Sequence, residues 1–246
     1  MKIVDCKQGT SAWFQARCGR VTASEIVNVL SFLKGGLPSA KRSAYQAQIV
    51  AEILTGAPDM DGYVSPYMQR GTEMEPAARR AYVAHVETMV DQVGFVVHPT
   101  IDRAGASPDG LVGDDGCVEI KCPKTENHLS YMLAGVVPEQ YEPQMMWEMA
   151  CTERQWCDFV SYDPRPGRRH ALFVKRLARN DERIAEITNN VLKFLAEADA
   201  IVERLNEINP PVEEPEDICE PVDPELYITD ADLPDWARTP KESDAK

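Results

Sequence analysis

The chain has little with which to build a zinc site or a disulfide framework. Its seven cysteines include no CxxC pair, and its four histidines (His85, His98, His128, His170) are scattered, so close-paired zinc ligands and an even cysteine set are both missing. Reduced thiols are expected. No run approaches the roughly 18 consecutive apolar residues of a membrane span, and Met1 to Phe14 lacks the apolar core of a signal peptide. A soluble, cytoplasmic protein is expected, with no membrane partner. Positive charge is scarce as well: 26 Lys and Arg stand against 40 Asp and Glu, a net of −14. That total argues against a nonspecific hold on DNA, which comes from cations neutralising phosphates. Its distribution weakens the argument. From Glu207 to Lys246 there are 13 acids and 3 bases, a net of −10, so the remainder carries only −4 and can bear a local basic track.

With 246 residues, 43% of them hydrophobic, the chain can bury one sizeable core. The boundaries expected are a domain over 1–208 and an acidic, proline-rich tail over 209–246, where seven prolines rule out long helices. Within the tail, Ile228 to Trp236 mixes acids with Leu233 and Trp236, a pattern suited to docking on a basic partner groove or simply to a solvated tail. Ahead of it, Ile184, Ile187, Val191, Leu195, Ala198, Val202 and Leu205 recur at helical spacing and predict a long closing helix. Helical patterns follow Thr10 and Thr22, and others span Tyr45 to Leu54 and Glu73 to Glu87. The period then changes to strands at Val93 to His98, Gly105 to Val112 and Cys117 to Cys122. Two helices, Thr125 to Ala134 and Glu139 to Cys151, precede a hairpin of Trp156 to Tyr162 and His170 to Arg176. The fold class expected is α/β, a small mixed sheet flanked by helices.

On a strand, Cys117-Val-Glu-Ile-Lys-Cys122 sends Glu119 and Lys121 to one face and Val118, Ile120 and Cys122 to the other. Alone, such a pair reads more readily as a cross-sheet or solvent-facing ion pair. Ten residues earlier Pro108-Asp-Gly110 carries Asp109, and Gly113-Asp-Asp-Gly116 between them signals a turn. If Leu111 pairs with Cys117, Asp109 falls opposite Glu119 and two carboxylates meet. Without the neighbouring strand, Pro108-Asp109-Gly110 would read as an ordinary β-turn. Paired carboxylates suit a hard cation such as Mg²⁺, with Mn²⁺ as a substitute. Lys121 could then orient the attacking water or stabilise charge developing on a phosphate.

Seven blocks carry a broader likeness: Ala12-Trp-Phe-Gln-Ala-Arg17, Gly19-Arg-Val-Thr-Ala-Ser-Glu25, Gly71-Thr-Glu-Met-Glu75, Ala106-Ser-Pro-Asp-Gly-Leu111, Glu119-Ile-Lys-Cys-Pro123, Gln144 and Tyr162-Asp-Pro-Arg165. In this order they resemble the lambda-exonuclease-like (YqaJ-type) family of viral recombination nucleases, within the PD-(D/E)xK superfamily. The resemblance implies a restriction-endonuclease-like core and Mg²⁺-dependent 5′→3′ digestion of linear duplex DNA from 5′-phosphorylated ends. It also implies a homotrimer that supplies 3′ single strand to an annealing protein in a bacterial host cell. It assigns catalysis to Asp109, Glu119, Lys121, Glu75 and Gln144, and the metal to Asp109, Glu119, Glu75 and the backbone carbonyl of Ile120. DNA and its 5′-phosphate go to Arg17, Ser24, Ser107 and Trp13. Plainer readings stand beside these. Thr72-Glu-Met-Glu75 is also a capping box at a helix start, Gln144 fits an exposed helix face, and Trp13 beside Phe14 fits a core. Thr22-Ala-Ser-Glu25, another capping box, would place Ser24 among free amides at a helix start, with Arg17 upstream and Ser107 on the strand face of Asp109. An endonuclease or repair enzyme on the same scaffold, or a module that binds DNA or a recombination partner without chemistry, are the competing functions.

Overall fold

The computed structural model describes residues 1–59 and 66–210, with only the backbone given for 66–68. The chain divides into two units, Met1–Glu207 and Ile208–Lys246. Of the second only 208–210 is described, so the tail and its Ile228 to Trp236 segment lie outside the described residues. The α/β expectation holds, but two mixed sheets stand where one was expected. The first runs β1 (Lys2–Val4), β4 (Phe95–Val97), β5 (Ala104–Ala106), β2 (Val21–Thr22), with β2 parallel to β5 and the rest antiparallel. The second runs β3 (Val90–Asp91), β6 (Gly110–Val112), β7 (Gly116–Lys121), β8 (Trp156–Tyr162), β9 (Leu172–Ala178), with only the central β7–β8 pair parallel. A parallel pair needs a crossover. Here α5 (Thr125–Ala134) and α6 (Glu142–Thr152) supply it.

The predicted strand Gly105 to Val112 is in fact two. Ser107-Pro108-Asp109 carries the chain from β5 in one sheet to β6 in the other, and Pro108 has no amide hydrogen to give to a ladder. Gln8 steadies this link by donating from Nε2 to the carbonyls of Pro108 and Val93, both at 3.0 Å.

The first three helices are α1 (Ser11–Arg17), the short α2 (Ile26–Val29) and α3 (Ala40–Thr55). The 16-residue α3 starts on Ser39, whose side chain accepts from the amide of Arg42, and stops at Gly56 in the left-handed region. Helix α4 (Pro66–Val86) covers the face of the second sheet made by Val118, Ile120 and Val160, meeting it with Ala78 and Tyr82. On the other face lies α6, nearly every residue of which is buried. It touches strands of both sheets, which is why it is buried on nearly all sides, its polar Glu148 included. The charged face of β7 is therefore covered rather than open. Helix α7 (Asp181–Ile208) closes the unit through Ile184, Ile187, Val191, Leu195 and Ala198, all buried, while Val202 is half-buried and Leu205 exposed.

Gly105 shows how closely strands approach here. A Cβ at this buried position would lie 2.5 Å from the Val96 carbonyl oxygen, a backbone atom with no room to yield. Gly105→Ala is therefore expected to destabilise the fold by about 1–3 kcal/mol, read as a lower urea midpoint at unchanged slope.

Candidate active site

The hairpin register is the one the turn predicts. Leu111 pairs with Cys117 and Gly110 with Val118, and the ladder stops there, leaving Asp109 across from Glu119 at the open end of β6. Asp109 Oδ2 accepts the Ile120 amide at 2.6 Å. A residue in an extended strand sends its N–H and its C=O to the same side. The Ile120 carbonyl thus also points toward the gap beside Asp109. Arg79 on α4 holds the Asp109 backbone carbonyl at 2.9 Å and pairs with Glu75 at 2.5 Å, which brings the Glu75 side of the helix to the same place.

Glu75 is not a cap. The helix begins at least six residues before Thr72, so Thr72-Glu-Met-Glu75 lies in its interior and the capping-box reading fails. Gln144 is not on an exposed face either. Its Nε2 donates to Glu119 Oε1 at 2.7 Å and to Glu148 Oε1 at 2.9 Å, one hydrogen for each. Glu119 is 2% exposed and also pairs with Lys121, whose ammonium lies 5.2 Å from the centre of the Tyr141 ring.

The electrostatics follow from this crowding. Burial, then the charges of Glu119 and Glu75, push the Asp109 carboxyl well above its ordinary range, against the pull of Lys121 and the Ile120 amide. Burial and the neighbouring Glu119 do the same to fully buried Glu148. Burial opposes the charge of Lys121, but Glu119 and Asp109 outweigh it and raise the ammonium's affinity for its proton. The charges of Glu119 and Glu75 both act on Asp109, and oxygen donors of this kind suit a hard divalent cation, but the donor atoms of these three carboxylates do not all lie within 4.8 Å of one another. A softer group lies deeper: Cys117, Glu148 and Cys157, all buried, with donor atoms within 4.8 Å of one another.

A second cluster gathers Trp13, Arg17, Ser24 and Ser107. Arg17 lies over the Trp13 ring at 4.2 Å and donates to Thr22 Oγ1 at 3.2 Å and Ser24 Oγ at 3.3 Å. Trp13 Nε1 donates to Ser107 Oγ at 2.8 Å. Burial lowers the Arg17 guanidinium from its ordinary value, partly offset by Tyr45, Glu25 and Glu52. Trp13 is half-buried, which fits neither a pure core nor a free aromatic. The helix expected to start at Thr22 is only a 3₁₀ turn, Ala23–Glu25, running into the four-residue α2, and Thr22 makes no side-chain cap. An anion here would rest on side chains, not on a helix dipole. Ser107 does not sit on a regular strand with Asp109, because the chain changes sheets between them.

Sequence reasoning missed Gln8, Thr22, Arg79 and Glu148. Two carried a readable signal, since Arg79 and Glu148 stand four residues after Glu75 and Gln144 and so share a helix face with them.

Residues 12–155 match the YqaJ-like viral recombinase domain family. Among solved structures, the alkaline exonuclease LHK-Exo from Laribacter hongkongensis is 45% identical, covers 81% of this chain and 97% of its own, and superposes with a TM-score of 0.75. The same figures hold for LHK-Exo in complex with dAMP. A phage-related exonuclease from Haemophilus somnus 129PT shares the fold at 14% identity and a TM-score of 0.57, over 76% of this chain and 96% of its own. No curated protein matches.

Proposed function

Because the chain belongs to the YqaJ-like viral recombinase domain family and is a PD-(D/E)xK-type nuclease related to exonucleases, we propose that it digests linear duplex DNA 5′→3′ from 5′-phosphorylated ends. The observation that carries this reading is the pairing of two clusters across one three-residue link. Asp109 at one end belongs to the carboxylate cluster, and Ser107 at the other to the arginine–hydroxyl cluster.

In this reading Asp109, Glu119, Glu75 and the Ile120 carbonyl hold Mg²⁺ or Mn²⁺. When bound, the ion polarises the scissile phosphate and lowers the pKa of a water. The rest falls to the chain's own groups. Gln144, itself held between Glu119 and Glu148, fixes the orientation of Glu119. Arg79 and the Ile120 amide fix the main chain and side chain of Asp109. Lys121, kept protonated by its two carboxylate neighbours, offers a positive charge to the phosphate oxygens as charge builds on them. Arg17, Thr22, Ser24 and Ser107 receive the terminal phosphate, with Trp13 stacked on the guanidinium to hold its fork in place. A homotrimer working in the cytoplasm and passing 3′ single strand to an annealing protein completes the proposal. No helix among the described residues is long and apolar enough to cross a membrane.

The test compares linear duplex bearing 5′-phosphate, the same duplex bearing 5′-hydroxyl, and a closed circle, each with Mg²⁺ and with EDTA. Digestion of the phosphorylated linear duplex is expected to be much faster than that of the hydroxyl duplex and absent for the circle, and EDTA should stop it. Ca²⁺ should permit binding without cleavage, because its looser coordination disfavours the required geometry. Cleavage of the circle would instead mark an endonuclease, and binding without cleavage in any metal an inert module.

A further inference from the structure

Positive charge is scarce in this chain, yet the turn between β8 and β9 concentrates it. Pro164-Arg-Pro-Gly-Arg-Arg-His170 carries Arg165, Arg168, Arg169 and His170 within seven residues, all four exposed. The neighbouring acid, Asp163, is fully buried and works as an anchor. Its Oδ1 accepts from the Arg165 amide at 3.2 Å, from Arg165 Nε at 2.8 Å and from Arg70 of α4 at 3.3 Å. Its Oδ2 accepts from Thr125 Oγ1 at 2.6 Å. Burial alone would push this carboxyl up, but the bonds from Arg165 and Thr125 bring it down to about 2.

The other stem of the turn is pinned by His128, also fully buried, whose ring nitrogens lie 2.7 Å from Ser161 Oγ and 2.7 Å from the His170 carbonyl. Two prolines fix the local backbone. Gly167, at φ 89°, supplies the left-handed residue the turn requires, and its amide donates to the Pro164 carbonyl at 3.1 Å. A loop held this firmly loses little conformational freedom when a ligand docks.

Its position relates it to the cutting centre. Lys121 pairs with Ser161 across β7 and β8, so Asp163 and the loop continue past the strand end at which Lys121 stands. Arg70 and Arg165 both donate to the Pro123 carbonyl at 3.4 Å, two residues beyond Lys121. We propose that Arg165, Arg168 and Arg169, with Arg70 beside them, form a binding site for backbone phosphates of the duplex that has yet to be digested. The site is separate from the terminal-phosphate cluster and indifferent to sequence. It rests on the reading of the chain as a nuclease of duplex DNA.

The side chains of Arg168 and Arg169 make no hydrogen bond or ion pair among the described residues, so the full chain carrying Arg168→Ala with Arg169→Ala tests the site without undoing its anchor. Binding of a fluorescent blunt duplex, in Ca²⁺, is followed from about 50 to 200 mM salt. Each phosphate left without its cation lowers the slope of log affinity against log salt by about 0.9, so a fall of about 2 and roughly tenfold weaker binding are expected. The loss should appear in KM rather than kcat, and Arg204→Ala on α7 should leave the slope where it is. An unchanged slope, an equal fall for Arg204→Ala, or a loss confined to kcat would overturn the proposal. If the wild-type chain digests no DNA, the exonuclease reading falls while the slope still decides the loop. If it digests DNA and the slope does not move, the loop proposal alone falls.

Discussion

Purified Lys121→Ala protein should fold normally and digest phosphorylated duplex at least about a hundredfold more slowly than wild type. The ammonium is set against Glu119 and Asp109 at the strand end, and both carboxylates raise its affinity for a proton. Removing it takes charge from where the phosphate develops its own, and leaves the oxygen ligands in place. Metal binding, measured by isothermal titration with Mn²⁺, should therefore survive in Lys121→Ala. Asp109→Ala and Glu119→Ala should lose both metal binding and digestion. Near-normal turnover in folded Lys121→Ala protein would overturn the assignment of this strand as the catalytic one.

Arg17→Ala should collapse the preference for a 5′-phosphate over a 5′-hydroxyl end. A charge-assisted hydrogen bond contributes about 1.5–3 kcal/mol, so digestion of phosphorylated ends should slow by about ten- to a hundredfold. Hydroxyl ends never engaged the guanidinium and should change little. The stack on Trp13 and the bonds to Thr22 and Ser24 place the fork before DNA arrives, and Arg17→Lys, which keeps the charge and loses the fork, should recover only part of the preference. Equal slowing of both substrates would mean that the terminal phosphate is held elsewhere and that Arg17 serves folding or general binding.

Much of the carboxylate cluster was legible because its geometry is local. A turn signal fixed the pairing of Leu111 with Cys117, and the two-residue period of a strand then set Asp109 against Glu119. The strand Trp156–Tyr162 was closed by Pro164 two residues on, and the helix Thr125–Ala134 was framed by Pro123 and Gly135. Strands β2 and β3, only two residues each, are shorter than any pattern can register. The change of sheet at Ser107 was hidden for a different reason. Pro108 marks a break, but the buried strands on either side of it are both apolar runs, and neither says that its partners belong to a different sheet. The start of α4 was misplaced because Thr72-Glu-Met-Glu75 imitates a cap, whereas the helix continues through it from Pro66. The true neighbours of Glu119 depended on α6 lying over the charged face of β7, a tertiary fact no local period encodes.

The link Ser107-Pro108-Asp109 has an implication for how much DNA leaves at each turn. Its first residue touches the group proposed to grip the terminal phosphate, its last the group proposed to cut, and Gln8 and Arg79 clamp the carbonyls of Pro108 and Asp109. Two residues of extended chain span at most about 7 Å, and the covalent backbone cannot stretch. Grip and blade are thus mounted on one short caliper whose opening is set when the protein folds. The bite taken from the strand is on this account a constant of the enzyme's own main chain, the same for every sequence it consumes.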